Sequence, residues 1–257
     1  MSGPITFPNY PASNRVPGVF ADLDPSKANT ATVNLRALLV CQRLKTGAVP
    51  AGQAVIVPSV SAARTMFGAG SQAAVAVKHY RNIDTFGELW VLPLDDDAQG
   101  IAAKGSISIA GTPSSSGSII FEIDGELVTV SYSPSDAPAD ILARIPAAMA
   151  SVADIPVSAG AVAAGVLPLT ALNAGECGND ILLAVSDASS DYAADVLTIT
   201  LTQFSGGPIN PFAALPPALA NLGTRAFVFA GCPYLDAARL PVLRAFWKAR
   251  VGRWSLG

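Results

Sequence analysis

Glu88-Leu-Trp-Val-Leu-Pro-Leu94 is a nearly unbroken apolar run of strand length, and Leu35-Arg-Ala-Leu-Leu-Val-Cys41 has the same character. Runs of this kind read as strands buried on both faces, as in parallel sheets. Between them, a loop rich in Gly47, Pro50 and Gly52 leads to two helix signals. Ser59 or Ser61 is placed to cap a helix through about Phe67, and Ser71 to cap another through about Arg81. After Gly207 the same style resumes, with a helix near Phe212 to Leu222, a strand at Ala226 to Cys232 and a helix near Asp236 to Val251. Strands alternating with helices predict a mainly parallel α/β layer.

Between these two pieces the periodicity changes. Ser106 to Ile109, Ser118 to Ile123, Glu126 to Tyr132, Ile181 to Val185 and Val196 to Thr202 alternate or are strand-like. Asp124-Gly125 lies between two of them, and an Asp-Gly pair suits a two-residue hairpin because both residues tolerate positive φ. One amphipathic helix, about Ala139 to Val152, interrupts the strands, with Pro146 placed to kink or shorten it. The expectation is an α/β protein, α+β overall, in which a β-rich domain (105–205) is inserted into a discontinuous α/β core (33–104 and 206–257).

Charge divides the chain at the same places. From Gly105 to Ser205 there are 11 acidic residues against the single base Arg144, a net of ten negative; the remainder holds 15 bases against 8 acids, a net of seven positive. Such asymmetry speaks of which surface faces which partner. At 257 residues the chain has ample material for a core, while charged residues are only 14% and mean hydropathy is +0.42, an excess carried largely by alanine. That balance fits a protein with much surface buried against other chains. Cys41, Cys177 and Cys232 lack CxxC spacing and suggest neither a disulfide framework nor a zinc site. The first residues show no secretory signal, and the most apolar window, Ala159 to Leu172, is too short and too broken by Gly160, Gly165 and Pro168 to span a bilayer. A reducing cytoplasm fits.

Residues 1–32 read as an extended N-terminal arm. Pro8, Pro11, Pro17 and Pro25 exclude a long helix, yet Val16, Val19, Phe20 and Leu23 are too apolar for a solvated tail. An arm of this kind adds to the edge of another sheet, often on a neighbouring subunit.

Motifs for chemistry are weak. Gly68-Ala-Gly-Ser-Gln-Ala matches a dinucleotide pattern, but a helix precedes it where the motif needs a strand; a C-cap followed by the Ser71 N-cap is the plainer reading. Asp95-Asp96-Asp97 reads as a solvated junction loop. His79, the only histidine, sits mid-helix, and no G-x-S-x-G, H-E-x-x-H or P-loop occurs. No catalytic, cofactor-binding or metal-binding residue is named, and a sequence pI of about 5.1 with dispersed bases gives no nucleic-acid surface. Arg239, Arg244, Lys248, Arg250 and Arg253 crowd the last helix with Phe246, Trp247 and Trp254. They form either a surface for an acidic partner or an ordinary amphipathic helix with solvated bases.

Arg15-Val-Pro-Gly-Val-Phe, Ala28-Asn-Thr-Ala, Leu35-Arg-Ala-Leu-Leu-Val, Met66-Phe-Gly-Ala-Gly-Ser, Phe86-Gly-Glu-Leu-Trp and Gly175-Glu-Cys-Gly-Asn-Asp occur in an order and spacing that resemble the contractile tail sheath protein of Mu-like bacteriophages. The resemblance implies a structural subunit of the virion tail, made in the host bacterial cytoplasm, that stacks in rings around the tail tube and contracts to drive it through an envelope. It implies contacts with neighbouring sheath subunits, the tail tube protein, the baseplate and the tail terminator. It also implies strand exchange through Val16, Pro17, Gly18, Val19, Phe20 and Leu23, an α/β core near the tube with Arg239, Arg244, Lys248, Arg250 and Arg253 facing it, and an outward inserted domain. Sheaths of this type run well past the Gly-Arg-Trp region of the last helix, so the chain corresponds to the N-terminal part of the family's usual length. The rival readings are a carbohydrate- or cell-surface-binding module of a phage particle, with the β-rich insertion as its recognition face, and a nucleotide-dependent enzyme on the α/β layer.

Overall fold

The computed structural model describes residues 36–190, 192, 196–211, 213–234 and 236–254, without the side chains of 250–254. The arm residues Val16 to Leu23 lie outside the described residues. The first elements are β1 (Arg36–Gln42), β2 (Val55–Ile56), α1 (Val60–Phe67), α2 (Gln72–Ile83) and β3 (Glu88–Leu94). Next come β4 (Ala102–Ala110), β5 (Gly117–Ile123), β6 (Glu126–Tyr132), α3 (Pro138–Ala150), β7 (Val157–Ala159) and β8 (Val166–Ala174). A 3₁₀ turn at Glu176–Asp180 leads to β9 (Leu183–Val185), β10 (Thr198–Ser205), α4 (Leu215–Ala220), β11 (Phe229–Gly231) and α5 (Arg239–Trp254). The mixture of helices with parallel and antiparallel strands makes the chain an α+β protein.

The first sheet has the order β11-β1-β3-β2. β1 and β3 pair in parallel along their whole length, from Arg36↔Glu88 to Gln42↔Leu94, and β11 joins β1 in parallel from Ala37↔Phe229 to Leu39↔Gly231. Only β2 runs antiparallel, at Val55↔Val91 and Ile56↔Trp90. Alternate residues of β1 and β3 feed two cores. Ala37, Cys41, Leu89 and Val91 pack with Ala63, Phe67, Ala74 and Val77 of α1 and α2. Leu38, Val40, Leu92 and Leu94 pack instead with Leu215 and Leu219 of α4, Tyr234, and Leu243 of α5. Coverage of both faces is the reason these strands read as continuous apolar runs. The caps are those the sequence predicts. Ser59 Oγ accepts from Ala62 N at 3.2 Å, Ser71 Oγ accepts from Ala74 N at 3.1 Å, and Gly68 closes α1 at φ +91°.

The other two sheets are antiparallel, β10-β4-β8-β7 and β6-β5-β9. At the β5–β6 hairpin Asp124 has φ 51° and Gly125 φ 82°, and both turn residues take the positive φ that a tight two-residue connection requires. Buried residues of α3 (Ile141, Leu142, Ile145, Met149) join Ile107, Phe121, Val130, Leu167 and Leu169 in one cluster, all of whose buried members lie between Ala103 and Phe204.

Several expectations need correction. β7 and β8 fall in and around the window from Ala159 to Leu172, whose run of apolar residues broken by Gly165 and Pro168 hides a strand of alternating burial. α3 passes through Pro146 without ending there. The strand expected at Ala226 to Cys232 shrinks to the edge strand β11, and the helix expected at Phe212 to Leu222 to the two turns of α4. Among the described residues, no helix is long and apolar enough to cross a membrane.

Candidate assembly surface and its supporting network

The basic helix is only partly the surface that its composition suggests. Arg239 is 9% exposed and serves the fold: Nη1 lies 3.0 Å from Asp236 Oδ1, and Nη2 donates to the Asn210 carbonyl. Asp236 caps the helix by accepting from Ala238 N and Arg239 N, each at 3.0 Å. Burial works to raise the Asp236 carboxyl, yet these hydrogen bonds and the Arg239 guanidinium leave it below the usual carboxylate range. Arg239 is thus corrected from docking base to anchor. Arg244 and Lys248 are exposed, while the side chains of Arg250 and Arg253 lie outside the described residues. Phe246 and Trp247, with ring centroids 5.0 Å apart, pack against the core beneath the helix and do not join an exposed aromatic row.

The charge division in the sequence reappears as ion pairs. Arg64 of α1 grips Asp154, and Lys78 of α2 pairs with Glu126 at the start of β6. Beside the second pair lies a cleft of about 170 Å³ whose lining includes Val75, Ala76, His79, Asp124, Pro156 and Ile181. Burial raises the Asp124 carboxyl, with His79 and Lys78 opposing that shift and Glu126 adding to it.

Where β1, α2, β3 and β8 meet, a polar network replaces apolar packing. Gln42 is fully buried and donates Nε2 to Asp96 Oδ1 (2.6 Å) and to the Ala174 carbonyl (2.7 Å), while Cys177 Sγ donates to its Oε1 (3.1 Å). Asn173 Nδ2 donates to Asp96 Oδ1 at 2.9 Å, Asn173 Oδ1 accepts from Gln72 N at 2.8 Å, and Asp96 Oδ2 accepts from Ala174 N at 2.9 Å. Arg43 pairs with Asp95 at 2.7 Å. The reading of 95–97 as a solvated loop is therefore wrong for Asp96, whose carboxylate satisfies donors from β1 and β8, whereas the Asp95 side chain stays 44% exposed beside Arg43. Gln42 and Asn173 had no signal at all, since a buried amide looks like any other in sequence.

Nucleophilic chemistry is disfavoured at the cysteines. Burial pushes Cys177 up to about 12 and Cys232 up to about 11, and it raises Cys41 well above the usual thiol range. A nucleophilic cysteine needs the opposite shift. Among the described residues, no group of three His, Cys, Asp or Glu could hold a metal ion.

No protein-family model matches the chain. Among solved structures, the sheath tail protein Lin1278 from Listeria innocua is similar at 14% identity and a TM-score of 0.33, covering 88% of this chain and 47% of that one, a likeness too loose to argue from. The chain is 32% identical over 253 residues to the Mu-like prophage FluMu tail sheath protein of Haemophilus influenzae, a match that covers 98% of this chain and 51% of that protein. It therefore spans about half the length of this relative. Over nearly its whole extent, the chain is a homologue of a Mu-like prophage tail sheath protein.

Proposed function

We propose that the chain is a non-enzymatic structural component of a contractile phage tail sheath, which polymerises around the tail tube and contracts to drive it through the host envelope. The observation that carries this reading is the 32% identity sustained over 98% of the chain. Residues 33–104 and 206–257 form the α/β body near the tube, and 105–205 the inserted outward domain. The confinement of one core cluster to residues between Ala103 and Phe204 supports that division. Val16, Pro17, Gly18, Val19, Phe20 and Leu23 supply a strand to a neighbouring subunit. Arg244, Lys248, Arg250 and Arg253 face an acidic surface of the tube protein, and baseplate and tail terminator meet the ends of the polymer. The work is mechanical. Contraction needs two packings of one subunit that differ in energy, and packed interfaces are bistable in that sense.

Negative-stain microscopy of the purified chain tests the reading, alone and co-expressed with a polypeptide matching the remaining half of the Haemophilus relative. Rings or tubes in the second sample are expected. Monomers in both, with binding to a cell-surface glycan, would replace the sheath reading by the surface-binding one.

A further inference from the structure

The apolar clusters stop at the ends of the acidic stretch. One is built only from residues between Ala103 and Phe204, and the two that flank the parallel sheet draw every member from outside that stretch. Across the boundary, the described ties are hydrogen bonds and ion pairs, and a boundary without a shared apolar core permits one part to turn against the other. The chain crosses it between β3 and β4 and again between β10 and α4, and the two crossings run side by side. Gly175 N, just after β8, donates to the Ile101 carbonyl at 3.0 Å, and a Cβ at Gly100 would stand 3.4 Å from the Ile209 carbonyl. Gly207 exchanges two hydrogen bonds with the Asn179 amide, at 2.8 and 2.9 Å. Adjacent crossings of this sort form a pivot, since a few loop residues can absorb the whole rotation.

Helix α2 runs outward from that pivot. At its first residue, Gln72 N donates to Asn173 Oδ1 at 2.8 Å, beside the network around Asp96. Gly70, two residues earlier, lies so close to Ile155 that a Cβ there would overlap the Ile155 carbonyl. Farther along, Val75, Ala76 and His79 share with Asp124, Pro156 and Ile181 the lining of the cleft of about 170 Å³. Lys78 then pairs with Glu126, their side chains 27% and 20% exposed. Six positions separate Gln72 from Lys78, about 9 Å at the helical rise. The order along the helix is pivot, unfilled gap and ion pair. We propose that the stretch from Ala103 to Phe204 is a hinged body that swings about its two crossings, and that the Lys78–Glu126 ion pair is the clasp holding it shut over α2. Asp154 precedes Ile155, so its pair with Arg64 sits at the Gly70 contact and stays closed through the motion. Opening bares the apolar cleft walls, and the partly solvated clasp makes it sensitive to ionic strength. The hinge belongs to the single chain and does not depend on the sheath reading.

Ile181 is 8% exposed in the cleft wall, so a thiol placed there reports the opening. The full 257-residue chain carrying Ile181→Cys is treated with a maleimide, and labelling is followed peptide by peptide. Cys41, 2% exposed in the core beneath α1 and α2, is the internal measure of global unfolding. Labelling of the introduced thiol is expected to quicken about fivefold when Lys78→Met or Glu126→Gln is added, the factor that a half-solvated ion pair accounts for. Salt at about 0.5 M should give part of that increase while both clasp residues are present, and little more once either is replaced. Val75→Cys places the probe on the opposite wall and should respond in the same way, which separates the hinge from any disturbance caused by Ile181→Cys itself. Labelling at both positions that ignores the clasp substitutions, or a rise matched at Cys41, would overturn the proposal.

Discussion

Arg64 closes on Asp154 across 90 positions of chain, with Nε 2.8 Å from Oδ1 and Nη2 2.6 Å from Oδ2. The pair is asymmetric, the carboxylate side chain being 1% exposed and the guanidinium 37%. The two ends must therefore respond differently to mutation.

Arg64→Ala leaves a buried carboxylate without its counter-charge and should cost about 2–3 kcal/mol. Asp154→Asn keeps a residue tolerant of the positive φ of 68° found there and frees an arginine that can turn to water. It should cost about 1 kcal/mol. Urea unfolding midpoints of the two variants check this order, and equal losses would contradict the asymmetry.

Gln42 is the centre of the polar junction. Gln42→Ala removes two donors and an acceptor, leaving Asp96 with one donor fewer and Cys177 without its acceptor. A loss of about 2–4 kcal/mol is expected, with Gln42→Leu no better because a leucine supplies no donor to Asp96 or to the Ala174 carbonyl. Thermal unfolding by circular dichroism measures it. A change below about 1 kcal/mol would mean that water substitutes for the side chain.

Asp124 gives a pH test with a defined sign. Its carboxyl is raised, chiefly by burial, so ionisation is less favourable folded than unfolded. Its contribution to stability is greatest when protonated and falls as pH rises from the unfolded carboxylate value, about 4, through the raised folded one. Asp124→Asn retains an Asn-Gly turn of the same kind. The variant should gain in melting temperature relative to the wild type at pH 7 and lose that gain near pH 3. A gain equal at both pH values would assign the effect to the turn alone.

The three thiols, buried or half-buried, should be slow to alkylate. With Cys177 and Cys232 pushed up to about 12 and about 11, little thiolate exists at pH 8 in the native state. Mass spectrometry after iodoacetamide treatment should show little modification until denaturant is added, and then all three modified together. Rapid native labelling of Cys177 would show that its bond to Gln42 opens readily.

Local elements were legible in the amino-acid sequence wherever a short-range rule decides them. Glu88–Leu94 is a strand because seven residues of that composition suit a site covered from both sides, and Ser59 and Ser71 start helices because their hydroxyls reach backbone donors three residues on. Asp124-Gly125 turns because both residues accept positive φ. The likeness to a tail sheath protein, 32% identity over 253 residues, was legible in short motifs spread along the chain. Tertiary structure alone decided that Asp96 meets Gln42 and Asn173, that Arg239 is an anchor and not a docking base, and that Phe86 stands out in water while Trp247 packs inward. These outcomes depend on which distant segments come together. Periodicity and capping act over a few residues, whereas the partner of a buried amide or carboxylate is set by packing over 54 to 132 positions of intervening chain.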